Sequence, residues 1–220
     1  MPPSKLPLTR ERVLSAAIKF ANEHSLEALS MRKLADQLGV KAMSLYNHVA
    51  NKDDIIDGMV EVVAEQLQLH PSWKSDDESW KTSMLKRANQ AYEVLKQNPW
   101  ATHAIVSRAN AGPNMLHYVD DTLGCLNEAG FSIVDSDHVW NVMDNYIYGY
   151  ILQELNFPFT PDEYRNAAQS YVAMIPESEF PYLNKLTQEV MHGRYDGLHH
   201  FQFGFSLLLD GLERFLLAKS

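Results

Sequence analysis

Three side chains able to read base edges fall within five consecutive positions: Met43, Ser44 and Asn47. An asparagine amide can pair bidentately with adenine, a hydroxyl can donate or accept, and a thioether suits the thymine methyl. Lys41 opens this segment, Tyr46 and His48 flank it, and Arg32, Lys33 and Lys52 lie close by in sequence. Such cations and donors are the groups that hold backbone phosphates. A solvated helix face is the ordinary fate of polar residues. Two features argue against it here: Met43 is apolar where the segment should meet water, and the cations gather around one short stretch.

Other chemistries lack their residues. There is no Gly-rich phosphate loop, no G-x-S-x-G and no H-E-x-x-H. None of the nine histidines has another three or four positions away, and adjacent His199 and His200 diverge on a helix. No catalytic residue, metal ligand or cofactor is therefore expected. Cys125 is the sole cysteine, so no internal disulfide can form, which fits a reducing cytoplasm. The N-terminus does not read as a secretory signal, and no apolar run approaches the ~18–20 residues of a membrane span. The net charge of −9 divides unevenly: residues 1–50 carry seven Lys and Arg against four Asp and Glu, which leaves −12 for the remainder. A basic head on an acidic body suits a protein that offers one end to phosphates.

The elements that must position these residues read as helices throughout. No proline occurs between Leu8 and His70, and that span predicts four helices. Thr9 caps the first, which repeats Val13, Leu14, Ala17, Ile18 and Ala21 at helical period. Ser30 caps the second, and Gly39 ends it. A third covers about Lys41–Val49, and Asn51 caps a fourth running to about Leu69. Residues 31–49 thus form a helix-turn-helix pattern: Ala35 at the helix contact, Gly39 at the turn, and Leu34, Leu38, Val40 and Leu45 as shared apolar filling. At about 100° per residue, Ala42, Leu45 and Val49 face inward, while Met43, Ser44 and Asn47 face out.

Beyond a break at His70-Pro71-Ser72, a capping box Ser75-x-x-Glu78 predicts a helix over about 76–98. A short irregular piece follows from Pro99, then helices at about 113–130, 135–156, 161–175, 181–192 and 196–218. No strand is expected. The fold class is all-α: a three-helix head at 1–50, a connecting helix at 51–69, and a larger body at 70–220. The 135–156 helix is apolar nearly all round, and Gly197, Gly204 and Gly211 repeat every seven residues along the last. A mid-helix glycine costs ~1 kcal/mol against alanine, so the column predicts close approach of a second helix. Both features fit a four-helix dimer bundle built on Tyr148, Leu152, Gly204, Phe205, Leu208, Gly211, Leu212 and Phe215. Trp80, Met84, Tyr92, Trp100, His103, Met115, Trp140, Met143, Asp144 and Tyr146 mix aromatic, thioether and polar groups, which suits a small, partly apolar effector; the contacts expected are Met84, Trp100, His103, Met115, Trp140, Met143 and Asp144.

Residues 9–69 resemble the DNA-binding domain of the TetR (tetracycline repressor) family, most specifically in LSMRKLADQLGVKAMSLYNHVANKDDII. The resemblance implies a homodimer reading a palindromic operator on double-stranded DNA, with a small effector bound in the body. It also implies that Arg32, Lys41, Ala42, Met43, Ser44, Tyr46, Asn47, His48 and Lys52 touch DNA. Asn47 stands where tetracycline-binding members carry an aromatic residue, so the operator sequence does not carry over. The body resembles the family more loosely, in Trp100…Ser107-Arg108, Gly112-Pro113, Glu128-Ala-Gly-Phe131, Tyr148-Gly-Tyr…Gln153-Glu154 and Phe203-Gly…Leu209-Asp-Gly-Leu-Glu213. The expected function is a ligand-responsive transcription regulator, a repressor, in the cytoplasm and not on a membrane. The competing reading is an all-α enzyme or metal-binding protein with a vestigial DNA-binding motif.

Overall fold

The computed structural model describes residues 7–68, 78–109, 111–197 and 200–219. Among these every regular element is a helix. Helices α1 (Arg10–His24), α2 (Met31–Leu38) and α3 (Ala42–Leu45) form the head. The Thr9 hydroxyl accepts from the Arg12 N–H to open α1, and the Ser30 hydroxyl accepts from Lys33 N–H to open α2. Gly39, at φ +66°, ends α2 in the left-handed region that glycine enters without a Cβ clash. The next amide, Val40 N–H, then donates back to Ala35 C=O at 3.0 Å. Helix α3 is shorter than expected: four residues of α-helix, then turns through His48.

Helix α4 (Lys52–Leu67) is shared between head and body. The Asn51 side chain accepts from Asp54 N–H, and Asp53 and Asp54 complement the dipole of its first turn. Its apolar face, Ile55, Ile56, Met59, Val60, Val63, Ala64 and Leu67, is buried. Each such aliphatic side chain contributes roughly 1.5–3 kcal/mol on full burial. At Gly58 the Leu14 methyl groups lie within 3 Å of where a Cβ would stand, so α1 crosses α4 closely. On the other side α4 packs against α5 (Trp80–Gln97), α6 (Pro99–Val106) and α7 (Pro113–Glu128).

The body continues with α8 (Ile133–Leu155), α9 (Pro161–Tyr171), a 3-10 turn (Val172–Met174), α10 (Pro181–Met191) and α11 (Phe201–Lys219). Helix α5 packs against α6, α8 and α11, while α9 and α10 pack chiefly on each other. Several sequence expectations shift. Ser79, not Ser75, caps α5, its hydroxyl accepting from Thr82 N–H. Ser75, the His70-Pro71-Ser72 break and Leu69 lie outside the described residues. The piece after Pro99 is a regular helix started by proline at its first turn. Ser132 caps α8 two residues before the expected start. The last helix begins at Phe201, which leaves Gly197 before it at φ +76°.

The glycine column therefore needs another explanation. A Cβ at Gly204 would run into the hydroxyl of Tyr146 in the same chain, and Gly197 accommodates Tyr164. At Gly211 nothing lies within 4 Å. Tyr148 and Phe205 also differ from expectation: Phe205 is fully buried within its own chain, and the Tyr148 hydroxyl donates inward to Asp144 at 3.0 Å. Both helices are apolar on several faces, so period alone could not separate the face turned to the chain's own core from the face turned outward. The outward apolar residues include Ile133, Val134, Val142, Leu152 and Leu155 on α8, and Phe203, Leu207, Phe215 and Leu217 on α11. Leu208 and Leu212 are partly buried between these two faces.

Candidate nucleic-acid interface

The outward face of α2, α3 and the turn after α3 carries the expected residues. Leu45 and Val49 are buried at 0% and 3% exposure, whereas Met43 stands at 75%. Asn47, Tyr46, Lys41 and Arg32 are exposed, and Ala42, Ser44, His48 and Lys52 are half-buried. The shortened α3 keeps this division because Val49 N–H still donates to Leu45 C=O at 3.0 Å, which holds the turn in helical register. All nine positions keep some exposure, next to buried anchors Leu34, Ala35, Leu45 and Val49. Lys33 is drawn aside: its ammonium donates to Ala28 C=O at 3.0 Å and sits 5.9 Å from the Phe20 ring centre.

A clamp that sequence reading missed fixes this face. The Arg10 guanidinium donates to both Asp54 carboxylate oxygens, at 2.6 and 3.0 Å, and to His48 C=O at 3.1 Å. Asp54 also accepts from Ala50 N–H at 2.7 Å. One ion pair therefore ties the start of α1, the end of the recognition segment and the start of α4. The hydrogen bond from Arg10 holds the Asp54 carboxyl below its ordinary pKa, and the same bond raises that of Arg10. Arg10 and Asp54 are 44 positions apart, and no local pattern marks them as partners.

The body residues expected to bind an effector divide into two groups. Met84, Met115, Met143 and Asp144 are buried in the body, with Trp140 at their margin. Asp144 anchors a buried polar cluster: its carboxylate accepts from Arg87 Nη2 at 2.7 Å, from Trp140 Nε1 at 2.8 Å and from Tyr148 at 3.0 Å. Arg87, fully buried, also donates to Thr122 at 2.9 Å and lies 4.4 Å from the centre of the Tyr118 ring. Burial opposes the charge of Arg87, but Asp144 outweighs it and raises the pKa. Burial raises the pKa of Tyr118 as well, so that phenol stays protonated. Arg87 Nη1 and the Tyr118 hydroxyl have no hydrogen-bond partner among the described residues. Trp100 and His103 lie elsewhere, lining a hollow between the end of α1 and the start of α6. The sequence expectation missed Arg87, although its spacing after Met84, with Ala88 and Ala91 beyond, puts it on the buried face of α5; only its partner Asp144 is out of local reach.

Carboxylates of α4 help couple it to the body. The Glu61 carboxylate accepts from Asn114 N–H and Met115 N–H at the start of α7. A Cβ at Gly112 would run into that carboxylate. Arg108 bridges Asp53 at 3.1 Å and Asp57 at 2.9 Å. Cys125 is buried, and burial pushes its thiol up to about 11, so it is inert at neutral pH.

Comparison with known proteins gives concordant results. A profile described as "Bacterial regulatory proteins, tetR family" matches residues 13–59. A second, "Tetracyclin repressor-like, C-terminal domain", matches residues 71–216. An HTH-type transcriptional regulator of Saccharopolyspora erythraea is 30% identical, over 93% of this chain and 84% of that one. The HTH-type transcriptional repressor DrrR1 of Streptomyces coeruleorubidus is 27% identical over 96% of this chain and 80% of its own. Among solved structures, apo ActR of Streptomyces coelicolor superposes with a TM-score of 0.79 at 20% identity, covering 98% of this chain and 99% of that one. At that identity the last match speaks for the fold.

Proposed function

The chain belongs to the tetR family of bacterial regulatory proteins, and from that premise we propose that it is a repressor reading a palindromic operator through Met43, Ser44 and Asn47. It is a ligand-responsive DNA-binding transcription regulator, and the family is one of regulators, not enzymes. The observation that carries the base-reading assignment is Met43, an apolar side chain held 75% exposed on the helix-turn-helix face while Leu45 beside it is fully buried. Asn47 supplies the amide for adenine and Ser44 a hydroxyl. Arg32, Lys41, Tyr46, His48 and Lys52 hold phosphates and set the register, with Ala42 at the edge of the contact. Repression is supported by the S. coeruleorubidus relative, which carries that description.

The operator is met by a homodimer, formed by the outward faces of α8 and α11. The face comprises Val142, Leu152, Phe203, Leu207, Gly211 and Phe215, with Leu208 and Leu212 at its border. Two-fold symmetry in the protein then requires two-fold symmetry in the site. Residues 1–50 act as the reading head, 51–69 as the connector and 70–220 as the body. Effector response resides in the cluster of Arg87 and Asp144, walled by Met84, Met115, Trp140 and Met143. Thioether side chains re-pack readily and can admit a ligand. Trp100 and His103 serve the junction of head and body instead. No described helix is long and apolar enough to cross a membrane, and a role in binding operator DNA supports a place in the cytoplasm.

Selecting bound duplexes from random DNA tests this reading. The expected result is a palindrome with half-sites about one helical turn, or a multiple of it, apart. Enrichment of no sequence, or of a single unsymmetrical half-site, would overturn it.

A further inference from the structure

Helix α3 stops at Leu45, so Asn47 does not stand on a helix but in the turn that follows. His48 N–H and Val49 N–H both donate to Leu45 C=O, at 2.9 and 3.0 Å. The next helix begins only at Lys52. The peptide groups on either side of Val49 are held from outside the segment. Arg10 of α1 donates to His48 C=O at 3.1 Å, and Asp54 of α4 accepts from Ala50 N–H at 2.7 Å. The guanidinium and the carboxylate also bond each other at 2.6 and 3.0 Å, so the two anchors form one unit. Hydrogen bonds to ionised groups are shorter and roughly twice as strong as neutral ones.

Gly58 belongs to the same arrangement. A Cβ there would stand 3.2 Å from Arg10 Nη2 and within 3 Å of the Leu14 methyl groups. The bare α-carbon lets α1 come near enough to α4 for one guanidinium to reach both Asp54 and His48. Arg10 itself lies outside the helix-turn-helix pair, on a helix that carries none of the nine DNA-contact positions.

We propose that Arg10, braced by Asp54, is a positioning residue for operator discrimination: it touches no base, and it fixes the angle at which the turn presents Asn47. A side chain discriminates between partners only when held within about 0.5 Å of its productive geometry, and here the backbone bonds of a short turn are completed by a charged fork. The inference rests on the reading face proposed above and adds to it a residue that decides specificity from behind.

The test uses the full chain and compares Arg10→Gln, Asp54→Asn, the double variant and Asn47→Ala with the parent. Each protein selects duplexes from random DNA. Its affinity is then measured for the parent's preferred duplex and for versions changed at one base pair, at a temperature where circular dichroism shows it folded. Arg10→Gln should flatten discrimination at one or more base pairs of the half-site by about fivefold or more. It should keep the parent's salt slope, because no phosphate contact is lost. The double variant should lose no more than either single one, since both break the same unit. Arg10→Lys serves if Arg10→Gln does not fold: one ammonium cannot reproduce the fork, so discrimination should still fall at least about twofold.

A lower melting temperature with discrimination unchanged would reduce Arg10 to a structural part and overturn the proposal. A salt slope smaller by about 1 would make it a phosphate contact, and additive losses would separate it from Asp54; either overturns the proposal too. Unchanged discrimination in Arg10→Gln beside relaxed discrimination in Asn47→Ala sinks this inference and keeps the reading face. The reverse pattern removes Asn47 as a base reader and keeps the clamp as the support of another. A parent that enriches no sequence overturns both.

Discussion

At the scale of single residues, the proposed interface has two kinds of DNA contact with different consequences. Asn47 has an exposed amide with two distinct ends, and losing it removes a choice between bases, not an attraction to DNA in general. Asn47→Ala should therefore relax preference at one operator position by ~1–3 kcal/mol, read by competition between duplexes that differ at one base pair. An unchanged preferred site would place the reading face elsewhere. Lys52 differs in kind. It sits at the first turn of α4, half-buried, and on the proposed reading it holds a phosphate. Lys52→Ala should weaken binding to every sequence alike and lower the salt slope by ~1. Titrations at several salt concentrations distinguish the two outcomes.

At the scale of elements, the head is rigid because α1, the recognition segment and α4 share the Arg10–Asp54 clamp. The folded state depresses the Asp54 carboxyl, so the stabilisation is present above the unfolded carboxylate value of ~3.9 and fades as pH falls through the lower folded value. Both side chains are partly exposed, at 41% and 30%, and solvent screening holds the contribution to on the order of 1 kcal/mol. Asp54→Asn should melt at a lower temperature than the parent at neutral pH, and the gap should close in acid, once the lowered Asp54 carboxyl is protonated in the folded state. A gap that persisted in acid would assign the effect to packing.

The clamp also marks the limit of what the sequence discloses. Helices α1, α2 and α4 were legible because their caps and apolar periods are local, and Thr9, Ser30, Gly39 and Asn51 all act as their chemistry requires. The outward set on α3 was legible for the same reason. Arg10 with Asp54, Glu61 with the start of α7, and Arg87 with Asp144 were not. Each joins residues more than 40 positions apart, and only the tertiary fold brings them together. The faces of α8 and α11 failed differently. Helices apolar on several sides carry too little contrast for a period to be read, so Phe205 and Tyr148 looked like surface residues although they point into their own chain.

At the scale of the whole molecule, that last distinction decides how two heads are held in step on one operator. The problem for any such regulator is linkage: Glu61 and Arg108 tie α4, which carries the head, to the body, and the two bodies of a dimer must hold their heads at a fixed separation. The outward apolar residues of α8 and α11 are suited to the second task, and Leu207 at 56% exposure is a direct probe of it. In an isolated chain a charge there would stay in water and cost within about 0.5 kcal/mol. In a dimer it would be buried without a partner, an unfavourable state. Leu207→Glu should therefore fold normally yet sediment near the 25.1 kDa mass of one chain, while the parent sediments near twice that value. Its operator affinity should fall steeply, since the second half-site would no longer be bound as part of one linked event. Phe205→Glu provides the contrast: Phe205 is fully buried in its own chain, so the same charge there should unfold the body. If Leu207→Glu remained a dimer with full operator affinity, the two-fold contact would have to lie elsewhere, and the exposed residues Tyr171 on α9, Met174 in the 3-10 turn, and Tyr182 and Leu183 on α10 would be the next surface to test.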